Sequence, residues 1–68
     1  MENKAEFVKA VGEALRDYSR ENVIGAEYHI ENGGEFVKVT YESGDYMDIC
    51  VSGDSCIAIL NDIYYALR

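Results

Sequence analysis

Residues 24–51 read IGAEYHIENGGEFVKVTYESGDYMDICV, and the period of this stretch decides the fold. Ile24, Ala26, Tyr28 and Ile30 alternate with Gly25, Glu27, His29 and Glu31. Val37, Val39 and Tyr41 alternate with Phe36, Lys38, Thr40 and Glu42, and Met47, Ile49 and Val51 alternate with Tyr46, Asp48 and Cys50. An apolar residue at every second position marks a strand with one buried face. Asn32-Gly33-Gly34 and Ser43-Gly44-Asp45 punctuate the three runs, so the strands form an antiparallel meander. Pairing Ile30 with Val37 puts Gly33-Gly34 in a two-residue type I′ turn, whose two positions both take positive φ. Pairing Tyr41 with Met47 makes Ser43-Gly44-Asp45 a three-residue loop or a bulge. In that register His29, Lys38 and Cys50 form a row across the sheet.

The flanks change to a helical period. Phe7, Val8, Val11, Ala14, Leu15 and Tyr18 fall on one side, and Glu6, Lys9, Glu13, Arg16, Asp17 and Arg20 on the other. That spacing predicts a helix over about residues 3–20, with Asn3 as N-cap and Glu6 three residues on. A second helix follows the second Ser-Gly-Asp triplet, Ser52-Gly53-Asp54. Asp54 is the expected N-cap and Ser52 the alternative. Cys56, Ile59, Leu60, Ile63 and Leu67 make its stripe, widened by Ile57 and Tyr64, so this helix is expected to be the main cover of the sheet. The fold class is therefore α+β in the order α-β-β-β-α, with both helices on one sheet face. That face carries Ile24, Tyr28, Val37, Val39, Met47 and Ile49. Glu27, His29, Glu31, Phe36, Lys38, Thr40, Glu42, Tyr46, Asp48 and Cys50 belong to the open face. Tyr18, Tyr28, Tyr41 and Tyr64 are expected at the core rim, and Phe36, Tyr46 and Tyr65 pointing outward.

The chain has 68 residues, which bounds it to a single domain, 1–68. Thirteen acids against six bases give a net charge of −7. The imbalance is concentrated: residues 22–68 hold eight acids and only Lys38 and Arg68 as bases. Nucleic acid and anionic membranes are poor direct partners for such a surface, and a basic protein surface is a good one. No apolar run is long enough to span a bilayer, and the first residues lack the apolar core of a secretory signal. A cytoplasmic protein is expected, with Cys50 and Cys56 as free thiols.

Catalytic and metal chemistry find little support. A lysine beside Cys50 would lower the pKa of its thiol, with His29 as base, but no oxyanion feature or nucleophile turn accompanies them. The cysteine spacing matches no zinc site. The aspartates of SGDYMD lack the glycine and terminal glutamate of a calcium loop. No enzyme, metal or cofactor is expected. The strongest constellation is instead the set of acids Glu27, Glu31, Glu35, Glu42, Asp45 and Asp48, placed on the open face and its turns, with Phe36 and Tyr46 among them. Carboxylates beside exposed aromatics suit docking to a basic partner. Surface carboxylates also serve solubility, which is the competing account.

Two resemblances follow. The element order resembles that of a double-stranded RNA-binding domain, whose last helix begins with a lysine cluster that grips phosphates. Here the position reads Gly53-Asp54-Ser55-Cys56, so RNA binding is not expected. The short length, the acids of the sheet face, Phe36 and Tyr46 together resemble the small acidic inhibitors of phages and mobile elements, anti-CRISPR proteins among them. That resemblance implies a bacterial host cytoplasm and a basic nucleic-acid channel as target, on a CRISPR effector or another nuclease subunit. The alternative is a general interaction module of a mobile element, a monomer or weak homodimer, whose acids serve only solubility.

Overall fold

The computed structural model describes residues 3–18 and 22–67. In chain order they form α1 (Lys4–Tyr18), β1 (Val23–Glu31), β2 (Gly34–Tyr41), β3 (Tyr46–Cys50) and α2 (Cys56–Leu67). The three strands make an open antiparallel sheet in the order β1-β2-β3, so the chain is the expected α-β-β-β-α fold. α1 begins where the sequence indicates: the Asn3 Oδ1 accepts from the Glu6 N–H at 3.1 Å. Its expected end at residue 20 and the Tyr18 side chain lie outside the described residues.

The core lies between one sheet face and both helices. Val8, Val23, Val37, Val39, Val51, Ile59 and Ile63 are fully or almost fully buried. Phe7, Val11 and Leu15 of α1, Tyr28 and Tyr41 of the strands and Leu67 of α2 pack partly against them. α1 lies chiefly over β1, and it comes unusually close at one point. A Cβ on Gly12 would stand 2.3 Å from the Ala26 backbone nitrogen, so only glycine fits there.

Strand parity is as expected, but both registers are displaced by two residues. Val37 pairs with Tyr28 rather than Ile30, and Met47 pairs with Val39 rather than Tyr41. The first turn is Asn32-Gly33, with φ of 51° and 79°. Asn tolerates the left-handed region, which releases Gly34 to pair with Glu31. The second loop has three residues, Glu42, Ser43 and Gly44. Its geometry follows from Gly44 at φ 95° and from the Tyr41 N–H donating to the Asp45 carbonyl at 2.8 Å. A two-residue shift preserves the side of every side chain, because the pleat repeats every two residues.

Three further expectations are corrected. Ile24 is 51 % exposed, because a bulge between Val23 and Gly25 turns it out and buries Val23 instead. The N-cap of α2 is Ser55, whose Oγ accepts from the Ala58 N–H at 3.2 Å. Asp54 is spent in the preceding turn, where its N–H donates to the Val51 carbonyl and Gly53 takes φ 78°. In α2 only Ile59 and Ile63 are fully buried; Leu60 is 42 % exposed and Tyr64 is exposed. Residues 59 and 63 lie one turn apart, whereas Leu60 points about 100° away from Ile59. A three-stranded sheet already shared with α1 buries only one narrow stripe of α2.

Candidate partner-binding face

The uncovered sheet face carries Glu27, His29 and Glu31 from β1, Phe36, Lys38 and Thr40 from β2, and Tyr46, Asp48 and Cys50 from β3. The true register sets them in rows: Glu27–Lys38–Asp48, His29–Phe36–Cys50, and Thr40–Tyr46. The expected row of His29, Lys38 and Cys50 does not form, because each pairing is two residues away from it. Lys38 stands beside Asp48 instead of the Cys50 thiol, so the arrangement that would activate that thiol is not built. The exposed Cys50 lies with its Sγ 3.7 Å from the Ser52 Oγ.

Side chains on this face sort into pairs that leave several carboxylates uncompensated. The Lys38 Nζ sits 4.6 Å from the centroid of the Tyr46 ring, a cation–π contact. Lys38 thus leans on Tyr46 although acids flank it on both neighbouring strands. The His29 Nε2 reaches diagonally to the Asp48 Oδ1 at 3.0 Å, and its ring stacks on Phe36 with centroids 5.5 Å apart. Glu27, Glu31 and Glu42 are exposed, and no ion pair among the described residues reaches them. The Asp45 side chain, also exposed, accepts from the Ser43 hydroxyl in its own loop at 3.2 Å. Beside Glu27, over the bare Gly25, lies an open hollow of about 270 Å³ lined by Ile24, Glu27, Lys38 and Thr40.

Seven of the eight expected binding residues lie on this face or in the β2–β3 loop at its end. Tyr46 is 62 % exposed, and Phe36 is half-buried under His29 and over Gly34. Glu35 is the exception and is corrected. It shares the parity of Val37 and Val39 and therefore points to the helix side. Its Oε2 accepts from the Lys4 Nζ at 2.9 Å and from the Tyr28 hydroxyl, and its Oε1 accepts from the Gly53 N–H at 2.9 Å. Its own N–H donates to the Ser52 Oγ, and its carbonyl accepts from the Val51 N–H. The Tyr28 hydroxyl, then the Gly53 N–H and Lys4, hold the Glu35 carboxyl down at about 2. The same bonds raise Tyr28 and Lys4.

A second carboxyl behaves in the opposite sense. Asp54 is pushed up, chiefly because in its protonated form it donates to Asp62, and also by desolvation. When ionised, its buried Oδ2 has no hydrogen-bond donor among the described residues. No group of three or more His, Cys, Asp or Glu side chains among the described residues is arranged to hold a metal ion. No helix among them is long and apolar enough to cross a membrane. No protein-family model matches the chain, and no curated protein or solved structure matches it either.

Proposed function

We propose that the protein is a non-enzymatic acidic binding protein whose open sheet face docks on a basic protein surface. By imitating the charge of a nucleic acid, it occupies a groove that otherwise takes one, in the manner of the phage-encoded anti-CRISPR inhibitors it resembles. The partner is then a CRISPR effector or another nuclease subunit in the bacterial cytoplasm. The observation that carries this reading is the set of uncompensated carboxylates at Glu27, Glu31 and Glu42 on and beside a face that neither helix covers, with Asp45 and Asp48 beside them. Holding like charges together in the free protein is unfavourable, and a cationic surface relieves the repulsion. Tyr46 supplies an exposed aromatic anchor at the β3 side. The competing reading keeps these acids for solubility and makes the chain a general interaction module of a mobile element.

Salt and charge reversal separate the two. Under charge mimicry, binding to a purified basic nuclease effector weakens steeply with ionic strength and is competed by duplex DNA. Glu31→Lys, Glu42→Lys and Asp48→Lys each lower affinity by about fivefold or more, in cumulative steps. Calorimetric titrations in which the triple variant binds as tightly as the native chain would refute the proposal.

A further inference from the structure

Gly25 sits inside β1 at a place where the fold asks for no glycine. Its φ lies outside the left-handed region, and a Cβ there would meet nothing within 4 Å. A β-branched residue would serve the strand better, because glycine costs backbone entropy and packs nothing. An interior strand glycine marks a bulge, a bend or a place where a ligand or another backbone comes close. The neighbouring bulge turns Ile24 outward without a left-handed residue at 25, so it does not account for the glycine. What the missing side chain leaves is the hollow of about 270 Å³ on the open face.

The walls of this hollow differ in chemistry. Ile24 gives an apolar side, and the bare Gly25 lies beneath. Thr40, the register partner of Gly25, brings a hydroxyl from β2. Glu27 brings an exposed carboxylate that no ion pair among the described residues reaches. Lys38 also lines the hollow, but its ammonium is committed to the Tyr46 ring on β3, 4.6 Å from the centroid. Since β2 lies between β1 and β3, that contact draws the Lys38 charge away from Glu27. The carboxylate is left to a cation from outside.

Resting this step on the docking reading above, we propose that the hollow over Gly25 is the seat of one arginine side chain of the basic partner, held by the Glu27 carboxylate. The methylene stem lies against Ile24 and the guanidinium plane over the Gly25 backbone. Two N–H groups donate to Glu27, and a third is offered to the Thr40 hydroxyl. Arginine suits the seat better than lysine. Its planar fork makes two parallel bonds to one carboxylate, and it sheds water more readily than an ammonium does. Small-molecule sites enclose their ligand in about 300–1,000 Å³. This hollow is smaller and open, which fits one side chain presented by a larger surface. The net charge of −7 favours a cationic occupant over any other.

The test uses acetyl-Gly-Arg-Gly-amide as probe, titrated at low ionic strength into 15N-labelled protein and followed by amide NMR, with the lysine counterpart in parallel. Saturating shifts centred on residues 24–27 and 38–40 are expected, with a dissociation constant of about 1–10 mM. The lysine peptide should bind about threefold more weakly or worse. Gly25→Val fills the hollow without changing charge, and Glu27→Gln removes the charge without changing shape. Each should weaken the arginine peptide about tenfold or more. Urea melts should find Gly25→Val at least as stable as the native chain, because valine suits a strand and meets open space there. Shifts spread over the whole acidic face and indifferent to both variants would overturn the proposal, since the face would then attract cations by its field alone. Equal affinity for the two peptides overturns it as well, and so does the lack of any saturable shift up to about 50 mM. Glu31, Glu42 and Asp48 take no part in the hollow, so their charge reversals test the docking reading separately. Effective reversals beside an unoccupied hollow strike only the arginine seat, whereas ineffective reversals strike the docking itself.

Discussion

Glu35 joins four segments of the chain with one side chain. It takes a proton donor from α1, one from β1 and one from the β3–α2 connection, while its backbone pairs with Val51 and Ser52. With its carboxyl held at about 2 against an ordinary value of 4.5, the folded state binds its proton less readily than the unfolded state does. Its stabilisation is therefore complete above about pH 4.5 and is lost as pH falls to about 2. Urea denaturation of the native chain and of Glu35→Gln should differ clearly at pH 7, and the gap should close on approach to pH 2. A gap that persists unchanged at pH 2 would show that the ionised form contributes nothing. Asp54 opposes this trend. Its raised pKa gives stability present below the ordinary Asp value, and that stability is lost as pH rises through the folded value. The native profile is therefore shallower than Glu35 alone would make it, and Asp54→Asn should steepen it.

At the scale of elements, α1 comes unusually close to β1 at Gly12. Alanine in place of glycine inside a helix is ordinarily worth about 0.8–1 kcal/mol in favour of folding. At Gly12 the added methyl would meet the Ala26 backbone at 2.3 Å. Backbone cannot rotate away as a side-chain tip can, so α1 must lift off the strand, and overpacking of this kind costs about 1–3 kcal/mol. The steric term outweighs the propensity gain, and Gly12→Ala should lower stability by up to about 2 kcal/mol in a urea melt. A stabilised Gly12→Ala would mean that the helix has slack at this point. The strands show a different division of labour. Turn chemistry at Asn32-Gly33 and Gly44 sets the register, while the pleat sets which side each residue occupies.

At the scale of the whole molecule, seven of the described residues form the buried core, so each carries a large share of a small total. α2 enters that core through Ile59 and Ile63. Ile59→Ala should cost about 2–5 kcal/mol, enough to leave a large fraction of the chain unfolded at ambient temperature. Leu60→Ala, one residue on, should cost about 1 kcal/mol or less, because much of that side chain already meets water. Thermal melts in which Leu60→Ala proves the more damaging would place the helix in a different rotation over the sheet. The same rotation creates the two unlike surfaces of the molecule: an apolar arc on the helix layer and an acidic face on the far side of the sheet.

Element order, the identity of the three strands and the side of the sheet that most strand residues occupy were legible in the sequence, Ile24 and Glu35 being the exceptions. A period of two or of 3.6 is a local property of the backbone, and it survives whatever packs against it. By the same rule Glu35 belongs with Val37 and Val39, and its place on the helix side could have been read from its parity. Tertiary structure alone decided the rest. The two-residue register shifts, the bulge that expels Ile24, the fit at Gly12 and the rotation that exposes Leu60 all depend on distances between segments far apart in the chain. Whether Lys38 would answer the neighbouring acids or lean on Tyr46 was equally unreadable. That choice rests on a balance between a screened charge pair and a ring contact, and both partners are set by strand pairing rather than by proximity in sequence.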